Sequence, residues 1–72
     1  MFKLGSRYEG YKLRGMRHGH GKFYYQDGGM YDGYWKENKM DGLGKLYYQT
    51  GKLAYDGSWK DDQFSGFGIL FN

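Results

Sequence analysis

Ring-bearing and polar positions alternate along much of this chain, and glycine interrupts them at regular intervals. Residues 31–36 read YDGYWK and residues 55–60 read YDGSWK, so Tyr, Gly and Trp fall on every second position. That period of two puts all three on one side of an extended strand. Residues 8–13, YEGYKL, keep the Tyr and the Gly but place Lys12 where the Trp stands later. A polar stretch follows each run, KENKMDG at 36–42 and KDDQFSG at 60–66, and reads as a turn. A Gly-x-Gly-x-apolar run then predicts a second strand, so each block is a β-hairpin. Glycine recurs too often for helix and no apolar 3.6-residue period survives, so no helix longer than two turns is expected.

The hairpins repeat. Three blocks, residues 8–30, 31–54 and 55–72, start at Tyr8, Tyr31 and Tyr55 with periods of 23 and 24 residues. Gly10, Gly33 and Gly57 form one column; Gly19, Gly42 and Gly66 a second; Gly21, Gly44 and Gly68 a third. Phe23, Leu46 and Leu70 align, as do Tyr24, Tyr47 and Phe71. Residues 1–7 read as the tail of a repeat, with Phe2 and Gly5 matching Tyr25 and Gly28, and the last block is incomplete. Such self-similarity signals an array in which each unit packs only on its neighbours. The expected fold is all-β: one domain over 1–72, a single curved antiparallel sheet of consecutive hairpins in an open, solenoid-like array.

Glycine then has a packing role. A strand glycine lets a neighbouring ring lie flat over the backbone, so each ring of the Tyr-Gly-Trp face is expected to cover a glycine of an adjacent strand, Gly33 among them. Turn glycines such as Gly28 and Gly51 are expected at positive φ. Composition agrees. There are 14 Gly and 9 Tyr with no Pro, which excludes collagen, and aromatic residues make up 22%, too many for a disordered chain. No Cys is present, which removes thiolate metal sites and thiol nucleophiles. No apolar run is long enough to read as a membrane-spanning helix, and residues 1–7 are too short and polar for a signal peptide.

Charge is uneven. Residues 1–26 carry six Lys and Arg against Glu9 alone, whereas residues 27–72 carry five Lys against seven acids. The basic part, Arg7, Lys12, Arg14, Arg17 and Lys22, is a candidate for anionic phospholipid head groups, at about 1 kcal/mol for each basic residue near such a surface. Phosphate-loop chemistry fails on spacing: Gly21-Lys22 has Met16 and Phe23, and Gly44-Lys45 has Lys39 and Leu46, where the loop needs Gly and Ser or Thr. His18 and His20 lack an evident third metal ligand, and His18 reads as a turn residue. Asp61-Asp62 reads as a solvated turn. The column Glu9, Asp32 and Asp56 repeats once per hairpin, as architecture does. No catalytic residue, metal or cofactor is expected.

The pattern Y-[ED]-G-x-W, a polar turn, then G-x-G-x-[FL]-x-Y-x-x-G resembles the MORN repeat (membrane occupation and recognition nexus) over nearly the whole chain, with Lys12 and Asn72 as departures. That family occurs in junctional membrane, ciliary and cytoskeletal proteins, phosphoinositide kinases and a lysine methyltransferase. The resemblance implies a non-catalytic module holding proteins or lipids together, in the cytoplasm, at the cytosolic membrane face or on cytoskeletal and ciliary structures. On the residues themselves, the core face takes Tyr8, Gly10, Phe23, Tyr25, Trp35 and Trp59. The opposite face carries Tyr11, Tyr24, Tyr34, Tyr47 and Phe71 with Lys22 and Lys45, a surface suited to a helical or extended peptide of a protein partner, with Tyr24, Tyr47 and Phe71 its best anchors. The alternative is attachment to anionic phospholipid through the basic residues. GHGKFYY at 19–25 only loosely resembles an RNA-binding strand, and nucleic acid is not an expected partner. Open sheet edges make self-association a further expectation.

Overall fold

Period-two alternation is realised as six strands in chain order. They are β1 Arg7–Leu13, β2 Met16–Tyr24, β3 Met30–Lys36, β4 Lys39–Tyr47, β5 Leu53–Lys60 and β6 Gln63–Leu70. The computed structural model describes residues 5–71, so the expected match of Phe2 to Tyr25, and Asn72, lie outside the described residues. The strands form one antiparallel sheet in the order β1-β2-β3-β4-β5-β6, with no helix among the described residues. The sheet is a single layer, 41 × 35 × 14 Å along its principal axes.

Two-residue turns close the hairpins at Arg14-Gly15, Glu37-Asn38 and Asp61-Asp62. Both residues of each turn have positive φ, 54° and 81°, 49° and 74°, and 50° and 69°. This is the type I′ geometry, whose twist matches that of the paired strands. The turns are therefore shorter than the polar stretches suggested. Met40 and Phe64, read within the turns, are strand residues, and Met40 is buried. His18, read as a turn residue, lies within β2. The loops between repeats are closed in a common way: the Tyr25 amide donates to the Gly29 carbonyl at 2.9 Å and the Tyr48 amide to the Lys52 carbonyl at 2.8 Å. Gly28 and Gly51 within them have φ of 104° and 91°, as the turn reading requires.

With one layer, the core must be made on a single face, and rings make it. Tyr31, Trp35, Met40, Tyr55 and Trp59 form the buried cluster, with Tyr8, Phe23, Tyr25 and Leu46 packed against it. Each Trp stands edge-on between two tyrosines. Trp35 meets Tyr8 at 5.5 Å and Tyr31 at 5.2 Å, and Trp59 meets Tyr31 at 5.1 Å and Tyr55 at 5.2 Å, all near perpendicular. Such pairs contribute about 0.5–1.5 kcal/mol each beyond the area they bury. The polar ends of the rings are satisfied by backbone: Trp35 Nε1 donates to the Gly21 carbonyl at 3.2 Å and Trp59 Nε1 to the Gly44 carbonyl at 3.1 Å. Tyr31 is fully buried and its hydroxyl donates to the Tyr34 carbonyl at 3.0 Å.

The glycine columns explain how rings lie so close. The Tyr31 ring covers Gly44 on the next strand, as Tyr8 covers Gly21 and Tyr55 covers Gly68, and a Cβ at any of the three would overlap the ring. Gly33 differs from the expectation. A Cβ there would run into the backbone of Gly44 and come within 2.6 Å of the Leu43 carbonyl oxygen, so Gly33 lies against another strand's backbone more than beneath a ring. The β3–β4 register also shifts between Gly33 and Trp35, a bulge repeated at Gly10/Lys12 and Gly57/Trp59.

Candidate functional site

The side of the sheet away from the rings is the outer face, and alternation along the strands divides it into three rows, about 7 Å apart. The middle row is charged. Glu9 pairs with Lys22, Lys22 with Asp32, Asp32 with Lys45 and Lys45 with Asp56 in register across five strands, and Ile69 takes the sixth place. Signs alternate because the odd strands carry the acid of Y-[ED]-G and the even strands the Lys of G-K.

On one side lies an apolar row. His20 is the register partner of Tyr34 and Leu43 that of Ser58, with Tyr11 and Phe67 at the two ends. Tyr11 is 74% exposed, Tyr34 49%, Leu43 59% and Phe67 76%. The His20 ring stands edge-on to Tyr34 at 5.4 Å, and its Nε2 lies 2.9 Å from Asp32 Oδ1. That oxygen is buried without a well-directed hydrogen bond. Between the two rows the sheet is indented. An open cavity of about 330 Å³ is lined by His20, Asp32, Tyr34, Leu43, Lys45 and Asp56, with Gly33 and Gly44 as its floor.

The third row contains Arg7, Tyr24, Met30 and Tyr47 in register, and Phe71 beyond β6. Tyr24 is half-buried: its hydroxyl donates to Glu9 Oε1 at 3.3 Å and the Arg7 guanidinium lies 4.6 Å from its ring centre. Tyr47 is also half-buried and lines a separate depression of about 720 Å³ between the loops at 25–29 and 48–52, with Tyr25, Asp27, Tyr48 and Lys52.

Alternation thus puts Tyr11, Tyr24, Tyr34, Tyr47, Phe71, Lys22 and Lys45 on one face, as the sequence implied, but only Tyr34 and Lys45 line its central cavity. Leu43, His20, Asp32 and Asp56 were missed as site residues. Leu43 and His20 could have been found as the middle residue of Gly-x-Gly, which the glycine columns force to the outer face. The basic residues are not gathered into one patch. Arg7 and Lys22 lie on the outer face, Arg14 sits in a turn, and Lys12 and Arg17 lie on the ring face. Lys12 Nζ stands 6.0 Å from the Tyr8 ring centre, and the Arg17 guanidinium 4.8 Å from that of Trp35. Asp62 is more than a solvated turn residue, because its Oδ1 accepts the Met40 amide at 2.8 Å.

Rows of this kind, repeated hairpin by hairpin on one sheet, define a single-layer β-repeat protein whose chemistry lies on a surface. The sequence profile of the MORN repeat matches residues 8–30, 31–52 and 55–71, and the chain belongs to the MORN repeat family. The matched segments follow the three expected blocks and end slightly short of the second and third. No curated protein matches the chain closely enough to count as a relative. MORN repeats are non-catalytic modules that bind and scaffold.

Proposed function

We propose that the chain holds a protein partner on its outer face, a helical or extended segment seated along the apolar row and the charged row beside it. The observation that carries this is the cavity between Tyr34 and Leu43, whose floor is glycine and whose rim is Asp32, Lys45 and Asp56. Exposed apolar side chains gathered on one face rather than scattered mark an interaction surface. The neighbouring charges are of both signs, three acids to two lysines, which suits a polypeptide bearing both signs better than a polyanion. Rings bring contact area with few rotors to immobilise, so Tyr34 and Tyr11 serve as anchors.

A photo-crosslinking residue at Tyr34, used in cells, would capture the partner. The pair of substitutions Tyr34→Ser and Leu43→Ser is expected to weaken that partner's binding at least about tenfold, as loss of an anchor does, with the circular dichroism spectrum unchanged. Undiminished binding by the folded variant would overturn the reading. Phosphatidylserine vesicles provide the other arm. Attachment lost on Arg7→Ala with Lys22→Ala, and indifferent to Tyr34, would favour lipid instead.

A further inference from the structure

The first two repeats build one site from equivalent positions and fill it differently. In the first, the Arg17 guanidinium lies over Phe23 at 5.1 Å and over Trp35 at 4.8 Å. Its Nε donates to Asn38 Oδ1 at 2.8 Å and its Nη2 to the Asn38 carbonyl at 3.2 Å. The Arg17 backbone amide donates to the same Oδ1 at 3.0 Å. One repeat later, Met40 stands in place of Arg17, Leu46 of Phe23, Trp59 of Trp35 and Asp62 of Asn38. The backbone bond is kept, from the Met40 amide to Asp62 Oδ1 at 2.8 Å. The cation is gone, and the neutral amide has become a carboxylate.

What remains is an open cavity of about 400 Å³ on the ring face, lined chiefly by Tyr25, Met40, Leu46, Trp59, Asp62 and Phe64. Asp62 is the one charged residue in that lining and forms no ion pair among the described residues. Arg17 reaches the adjoining cavity, which shares Tyr25, Met40 and Asp62 with this one, but it is turned onto Asn38. Tyr25 and Asp62 line the same cavity, and the Tyr25 phenol is held above its ordinary range by burial first and by the charge of Asp62 next, with Arg17 opposing.

We propose that this cavity receives the guanidinium of an arginine from a protein segment, over Trp59 and against Asp62, as Arg17 is held one repeat earlier. Tryptophan is the strongest ring partner for a cation. A planar guanidinium stacks on a ring while its several N–H groups reach the turn, as Arg17 does on Trp35 and Asn38, and a compact ammonium cannot do both, which selects arginine over lysine. Asp62 Oδ1 accepts the Met40 amide, and Oδ2 has no hydrogen-bond partner among the described residues. The site lies on the face opposite the proposed partner surface and does not depend on it.

The test is a nuclear magnetic resonance titration of the ¹⁵N-labelled chain with acetyl-Leu-Arg-Leu-amide, and with the same peptide carrying citrulline or lysine. The arginine peptide is expected to move the Trp59 indole N–H and the Met40 amide while leaving Trp35 in place. The citrulline peptide, without the charge, should bind about tenfold more weakly, as loss of a charged hydrogen bond with its cation–π contact implies. Asp62→Asn, which keeps an acceptor but removes the charge, should weaken binding by a similar factor and stay folded, because Asn38 makes the equivalent backbone bond in the preceding repeat. Met40→Arg should fill the site from within and abolish the response, a second check should Asp62→Asn unfold. Equal shifts from citrulline or lysine, undiminished binding by Asp62→Asn, a response retained in Met40→Arg, no shift at Trp59 at millimolar peptide, or shifts confined to Tyr34 and Leu43 would overturn the proposal.

Discussion

At the scale of single residues, glycine sets how close the strands come, and tyrosine and tryptophan fill what glycine leaves. A side chain at Gly33 meets backbone, which cannot swing aside, whereas one at Gly44 meets the Tyr31 ring. Gly33→Val is therefore expected to destabilise by about 3 kcal/mol, at the upper end of the overpacking range. Lys36→Ala, at an exposed position, should fall within about 0.5 kcal/mol of the parent. Urea midpoints of the two variants check this, and equal losses would contradict the packing described. The buried phenols make a second prediction. Burial raises the pKa of Tyr31 first, and that of Tyr25 and Tyr8 as well. A phenol whose folded pKa lies above its unfolded value of 10.0 contributes fully below that pH, and its contribution falls as the pH rises from there toward the folded pKa. The stability these phenols contribute should thus be constant below about pH 10 and decline above it, seen as a falling melting temperature. A melting temperature that held constant through that range would mean the rings are not buried as described.

At the scale of the hairpin, each turn does more than reverse the chain. The side chains of Asn38 and Asp62 reach back one repeat to accept the amides of Arg17 and Met40. Their own amides donate to the carbonyls of those residues, at 2.9 and 3.1 Å. Adjacent hairpins are clasped at the turn end as well as along the strands. Asp62→Ala leaves the Met40 amide without its acceptor and should cost about 1–2 kcal/mol, while Asp62→Asn should be close to neutral. Chemical denaturation measures both, and equal losses would show that the clasp contributes nothing. The first turn has Gly15 at this position, without a side chain, and Lys12 stands where later repeats place a Trp. β1 is correspondingly the less buried of the odd strands.

At the scale of the whole sheet, stability is a sum over neighbouring hairpins, and the edges are weak points. β6 exposes Phe64, Phe67, Ile69 and Leu70, so it is apolar on both faces as well as being an edge strand. The 72-residue chain is expected to self-associate as concentration rises, and Phe67→Lys with Ile69→Lys to suppress this without loss of β structure, since inserted charge blunts edges. Light scattering over a dilution series decides it; a monomer at all concentrations would remove the edge argument.

Strand number, chain order and the identity of the ring face were legible in the sequence, because period-two alternation and the glycine columns are local. A residue two places from Tyr31 must share its side of the strand, whatever the strand packs against. The choice of Tyr34 for the outer face needed nothing more. The rest depended on contacts between residues about one repeat apart. Met40 looked like part of a polar turn until a type I′ geometry confined the turn to Glu37 and Asn38 and brought Met40 into the buried ring cluster as the register partner of Trp35. Tyr24, Tyr47 and Phe71 looked like the best anchors, ahead of Tyr34, but Arg7 and Glu9 engage Tyr24, and Tyr47 faces a different depression. Arg17 looked like one of five basic surface residues and is instead held over two rings by Asn38. Alternation decides which face a residue takes, because it follows from backbone geometry alone. Whether that residue is free on its face depends on register, and register exists only once the strands have paired.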